Sequence, residues 1–186
     1  MKRDASIDWL ERCKKLLDVR SYLIEKAEEL VGARGLHKRR VREELIELVR
    51  LKERGVKYEK DWNDIYHIVL LPHYKDDYKI LRSAVKSCVE SNYPTDKIII
   101  VVALEEREEG DDKFKKVEKL KKEFQKKFRD ILYTVHADHP DEIKGKSANI
   151  NWAGKKIKEY IDKQKIHYED ILVSAFDGDT RVSKEY

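Results

Sequence analysis

The sequence predicts an α/β domain with a mostly parallel sheet, preceded by a helical N-terminal extension. Two observations carry this. From Trp62 onward, apolar runs of strand length alternate with longer stretches of helical periodicity, the order expected of a strand-helix-strand architecture. The first two of those runs, Ile65–Leu71 and Ile98–Leu104, are continuous rather than alternating, which is how strands buried on both faces read. Residues 1–60 show helical periodicity only, and 61–186 form the α/β part. A chain of 186 residues supports one substantial core and a small appendage.

In the extension, Ile7, Leu10, Leu16, Leu17, Tyr22, Leu23, Ala27 and Leu30 recur at helical spacing, with Asp4 or Ser6 as N-cap. Gly32 to Gly35 interrupts the run. A second helix carries Val41, Leu45, Ile46, Leu48, Val49 and Leu51 on one face and stops near Gly55. Both helices are read as structural.

Ile65–Leu71 is an apolar run closed by Pro72 and predicts a buried strand. Asp76 or Asp77 then caps a helix to about Glu90, with Ile80, Leu81, Ala84, Val85, Cys88 and Val89 as its apolar stripe, and Ser91 to Pro94 ends it. Ile98–Leu104 predicts a second strand. After an acidic turn, EEREEGDD, a charged helix runs to about Phe128 with Phe114, Val117, Leu120, Phe124 and Phe128 inward. Ile131–Val135 predicts a third strand, Ser147–Ile161 a helix, and Ile171–Phe176 a fourth strand leading into Asp177-Gly178-Asp179-Thr180.

Composition narrows the function. Lys and Arg number 41 against 37 Asp and Glu, and the excess is spread over helices, which argues against a nucleic-acid binder even around Arg39, Arg40 and Arg42. Cys13 and Cys88 are far apart in helical patterns and suggest neither a disulfide scaffold nor a metal site, so a reducing cytoplasm is expected. No apolar run approaches the roughly 20 residues that span a bilayer.

Ligands of an open α/β sheet bind beyond the carboxyl ends of its strands. Three features fall there. The two carboxylates of Asp177-Gly178-Asp179, flanking a glycine, suit a divalent cation with a ribose or phosphate oxygen. Lys144-Gly145-Lys146-Ser147 opens a helix, where basic side chains and free N–H groups favour a diphosphate; the spacing is not that of a Walker A loop. The turns Pro72-His73-Tyr74 and Glu105-Glu106-Arg107 can wall a flat base, with an acid to accept from its edge. His136, Asp138 and His139 cluster without a fourth ligand and are read as loop residues. His73 and His167 are read as surface or packed histidines, and Trp9, Trp62 and Trp152 as packing anchors.

Taken in order, PHYKDD, ILRSAVKSCVESNYP, IIIVVALEERE, KGKSANINWA and SAFDGDT resemble the successive blocks of inverting family-two glycosyltransferases with the GT-A fold, closest to the cellulose-synthase-like branch. The resemblance covers residues 62–186. It implies the nucleotide-sugar-binding half of a Rossmann-like GT-A domain that takes a nucleotide-diphosphate sugar, UDP-sugar by default, with Mg²⁺ or Mn²⁺. Asp179 would ligate the metal and Asp177 the metal or ribose. Gly145 and Lys146 would lie by the nucleotide, Asn149 would support their turn, and Pro72 and Tyr74 would flank the base. Glu105 stands where many members carry an aspartate for the base edge.

The family displaces the diphosphate directly, with inversion, using a carboxylate base downstream of the DxD. Only Thr180 to Tyr186 follow it here, so no catalytic base is expected in this chain. The expectation is a donor-binding fragment that does not transfer sugar alone, from a parent protein at the cytoplasmic face of a membrane. The alternative is a non-catalytic module that self-associates through an unpaired sheet edge.

Overall fold

The computed structural model describes residues 8–54, 61–138 and 145–186. Asp4, Ser6, Ile7, Gly55, His139 and Lys144 lie outside the described residues. The chain divides into two compact units, Met1–Trp62 and Asn63–Tyr186.

The first unit is helical: α1 (Trp9–Lys15), a 3-10 turn over Leu16–Asp18, α2 (Val19–Gly32) and α3 (Gly35–Glu53). The run expected to be one helix is therefore broken at Leu16–Asp18. Asp18 is the reason: its carboxylate accepts from Ser21 N–H at 3.1 Å and starts α2 afresh. Asp8, accepting from Glu11 N–H at 2.8 Å, caps α1. Extended Ala33 and Gly35, at φ +56°, make the second break. Tyr22, Ala33, Val41 and Leu48 are buried, whereas Ile46 and Val49, expected on the same face, are exposed. Tyr22 donates its hydroxyl to Glu44, which also pairs with Arg12 at 3.1 Å and Lys26 at 3.4 Å. Burial and that carboxylate raise the Tyr22 hydroxyl above its ordinary pKa.

The second unit is α/β and Rossmann-like, with four parallel strands: β1 (Tyr66–Pro72), β2 (Ile98–Glu105), β3 (Asp130–His136) and β4 (Ile171–Ala175), in the order β3-β2-β1-β4. Between them run α4 (Tyr78–Val89), α5 (Asp112–Phe124) and α6 (Lys146–Gln164). Every residue of β2 is buried, which explains its unbroken apolar sequence. Ile68, Leu70, Ile99, Val101 and Ala103 form one face and pack with Ala153, Ile157 and Ile161 of α6. Val69, Leu71, Ile98, Ile100, Val102 and Leu104 alternate onto the other face, left to α4 and α5, whose Leu81, Val85, Val117 and Leu120 are buried. Burial pushes the Cys88 thiol up to about 11, which leaves it protonated and unreactive at neutral pH.

Of the two aspartates expected to cap α4, Asp77 does so, accepting from Lys79 N–H at 2.7 Å. The inward faces expected of α4 and α5 need correction. On α4, Ile80 is exposed and Ser87 is buried in its stead, because its hydroxyl donates to Ala84 O at 2.7 Å and accepts from Val182 N–H at 3.0 Å. On α5, Lys113 is buried while Phe114 is only partly so. Strand β4, apolar in sequence, has no fully buried residue; it is an edge strand, with Leu172 and Val173 exposed on opposite faces.

His67 and His73 give the unit a pH dependence. His67 stacks on Tyr93 at 4.1 Å between ring centroids, and burial lowers the pKa of both histidines below 6.5. The unfolded chain thus binds protons more readily than the folded one. The stabilisation is complete above about pH 6.5 and is lost as pH falls through and below it, at most about 1.4 kcal/mol per pH unit per histidine. We expect urea midpoints to drop between pH 7.5 and 5.5, with a smaller drop in His67→Phe, which keeps the stacking but not the titration. An equal drop in both proteins would remove His67 from the account.

Candidate functional site

The sheet order fixes where a ligand site forms. The chain steps outward from β1 to β2 to β3, then returns across β1 to place β4 on its other side. The switch point therefore lies between β1 and β4, and the crevice beyond their carboxyl ends is the natural site in such a sheet. Pro72 ends β1 and Asp177-Gly178-Asp179 follows β4, so two of the three features predicted at this edge meet at that crevice. A side chain built at Gly178 would stand 3.4 Å from Pro72 O and 3.5 Å from Asp76 Oδ2.

The Asp177-Gly178-Asp179 segment is a tight turn. Phe176 N–H donates to Leu70 O at 3.1 Å, continuing the β1–β4 ladder, and Thr180 N–H donates to Asp177 O at 2.9 Å, closing the turn. Beyond it the chain is held against the turn after α4, where Asn92 N–H donates to Lys184 O at 2.7 Å, and against β4, where the Tyr186 hydroxyl donates to Ser174 Oγ at 2.8 Å. Both aspartates are exposed. Lys146, in the first turn of α6, forms an ion pair with Asp177. The lysine predicted to meet a diphosphate and the aspartate predicted to meet a metal thus share one spot.

Gly145 precedes α6 and Asn149 lies inside its first turns. Asn149 is 1 % exposed. Its Nδ2 donates to Ala103 O at 2.8 Å, and His73 N–H donates to the same oxygen at 2.9 Å. One carbonyl at the end of β2 thereby ties the start of α6 to the turn after β1. Asn149 Oδ1 is buried with no hydrogen-bond partner among the described residues. Asn149 is accordingly buried, its side chain tying the first turns of α6 to the end of β2.

Tyr74 is exposed and Glu105 buried, and Arg107 joins them: its guanidinium lies 4.4 Å above the Tyr74 ring, and its Nε donates to Glu105 Oε2 at 3.1 Å. His136 Nδ1 stands 3.6 Å from the same Glu105 oxygen. His136, read from sequence as a loop residue, is in fact the buried last residue of β3, beside Trp152 at 5.7 Å between ring centroids.

Two buried side chains were not legible as part of the site. Lys113 is 5 % exposed, and its Nζ donates to the carbonyls of Glu105 at 2.9 Å, Glu106 at 3.1 Å and Glu108. Glu108, equally buried, accepts from Lys75 N–H at 3.0 Å and lies 3.9 Å from Lys116 Nζ. Lys116 in turn donates to Asp76 O at 2.9 Å. Lys75 is held at φ +59°, a strained position for a side-chain-bearing residue, by these ties. The loops after β1 and β2 are thus one polar network.

Asp76, expected only as a cap, is the third carboxylate near the crevice; its Oδ2 accepts from Tyr74 N–H at 3.4 Å. Among the described residues no three His, Cys, Asp or Glu side chains converge as a ready metal site. Two exposed carboxylates in one turn do fit the way Mg²⁺ is held, by one or two carboxylates with substrate phosphates and water completing the shell. No helix among the described residues is long and apolar enough to cross a membrane. No protein-family model matches the chain, and no curated protein matches it in sequence.

Proposed function

We propose that residues 61–186 bind the donor of a glycosyl transfer, a nucleotide-diphosphate sugar taken with Mg²⁺ or Mn²⁺. The observation that carries this reading is the Lys146–Asp177 ion pair at the switch-point crevice. A cation and an acid paired on an exposed edge are placeholders for each other's ligands. A diphosphate arriving with its metal offers Lys146 an anion and Asp177 a cation, so both charges keep a partner. Asp179 completes the protein's share of the metal shell.

Around that centre the other residues orient the ligand. Tyr74, backed by Arg107, presents a ring face to the base, with Pro72 beside it. Glu105 reaches the base edge only by sharing its carboxylate with Arg107 and His136, which makes it a weaker determinant of base identity than a free acid. Gly145 lets the backbone approach the phosphates near the N-terminus of α6. The bound metal neutralises charge on the leaving diphosphate. Transfer, with inversion, requires a general base, and this reading assigns none to the residues here. The reading places the protein in the cytoplasm.

Lys146→Ala tests the reading. With Mn²⁺ present, UDP affinity is expected to fall about tenfold, the worth of one charge-assisted phosphate contact. Affinity for uridine itself should not change. Equal losses for both ligands, or none for either, would contradict the role given to Lys146. A second reading, a self-associating module, draws on the exposed Leu172 and Val173 of edge strand β4. A mass that rises with concentration and returns to the monomer in Val173→Lys would favour it.

A further inference from the structure

We propose that the turn between α2 and α3 is a docking surface for an anionic lipid bilayer. Residues 31–42 carry Arg34, Lys38, Arg39, Arg40 and Arg42 and no acid. All five side chains are exposed. Arg39 pairs with Glu43 at 2.9 Å, and no ion pair among the described residues occupies the other four. Two aliphatic side chains stand in the same turn with most of their surface in water, Val31 at 87 % and Leu36 at 66 % exposure.

Leu36 shares its face of α3 with Arg39 and Arg40, three and four residues on, and the three line a shallow recess with Glu43. Exposed aliphatics ringed by five cations, four of them outside any ion pair among the described residues, are what a negatively charged bilayer interface selects. The guanidinium and ammonium groups meet headgroup phosphates, and the aliphatic tips enter the acyl boundary. A nucleic-acid backbone could use the same charges, but it would leave Val31 and Leu36 in water. Residues 31–42 also offer no Phe, Tyr or Trp on which a base could stack. The surface belongs to the helical unit and does not depend on the donor-site reading.

The experiment is sedimentation of the full chain with vesicles of phosphatidylcholine alone and of phosphatidylcholine mixed with phosphatidylglycerol, at low and moderate salt. Each Lys or Arg near an anionic surface contributes about fivefold to partitioning. We therefore expect salt-sensitive binding to the phosphatidylglycerol vesicles, reduced more than a hundredfold in Arg34→Gln/Lys38→Gln/Arg40→Gln/Arg42→Gln. In Val31→Ser/Leu36→Ser binding should fall by about tenfold or more. All six positions are exposed, so circular dichroism should show unchanged helix content. The proposal is overturned by absent binding, by equal binding to both vesicle types, or by a serine variant that sediments like wild type. Tight binding of duplex DNA, unaffected in the serine variant, with weak vesicle binding would reassign the surface to nucleic acid.

Discussion

Lys113→Met should destabilise the α/β unit by about 3 kcal/mol, the largest effect expected of any single substitution at the crevice. The cause is local. Lys113 sits 5 % exposed with one amino nitrogen serving the carbonyls of Glu105, Glu106 and Glu108. Methionine fills nearly the same volume but donates nothing, so the carbonyls of Glu106 and Glu108 lose this partner while Glu105 O keeps the Glu108 N–H at 3.2 Å, and each unsatisfied buried group costs about 1–3 kcal/mol. Opening of the loop to water recovers part of that, which sets the total near the lower end. Lys113→Arg should rescue little, because a planar fork cannot reproduce three converging donors. Hydrogen exchange of the β2 amides measures the effect, since these amides exchange through the unfolding of the whole unit. Unchanged protection in Lys113→Met would show that the loop holds without its lysine.

The same lysine shows where sequence reading stops. Strands β1 and β2 were legible because burial on both faces demands unbroken apolar residues, and Ile68–Leu71 and Ile98–Leu104 supply them. Glu108 sits in a stretch that reads as an acidic turn, and Lys113 opens what reads as a charged helix. Their burial depends on carbonyls and an amide from other segments, Glu105, Glu106 and Lys75, that only the fold assembles. The ends of α5 were misplaced for a related reason. Phe124 and Phe128 continue the apolar spacing, but the helix ends at Phe124 and both rings are buried regardless.

The candidate site was legible in parts. Asp177, Asp179, Lys146, Pro72 and Tyr74 could be named from composition and position after strands, since turns at the carboxyl edge carry such residues. Their meeting could not be foreseen without strand order, because the crevice exists only where β4 returns beside β1. The contributions of Asp76 and Arg107 were hidden for the same reason: Asp76 lies beside Gly178, and Arg107 bridges Tyr74 to Glu105. His136 was misread as a loop residue because its burial comes from Glu105 on the neighbouring strand and Trp152 on α6.

The second large effect belongs to the two aspartates. Asp177→Ala/Asp179→Ala removes both carboxylates from an exposed turn whose shape is kept by backbone bonds at Phe176 and Thr180, so folding should be unaffected. If the metal is held there with the diphosphate, its loss should cost most of the metal-dependent affinity, about a hundredfold or more, since two charge-assisted contacts disappear together. Single variants should fall between, and Asp179→Ala should be the worse, because Asp177 alone has Lys146 as a second partner.

The most direct test of donor binding is a calorimetric titration of UDP with Mn²⁺ into the wild-type chain and into Asp177→Ala/Asp179→Ala. The account predicts saturable heat in the wild type that vanishes without Mn²⁺ and in the folded double variant. Saturable binding that survives in the double variant, or no binding to a folded wild-type chain, would contradict it.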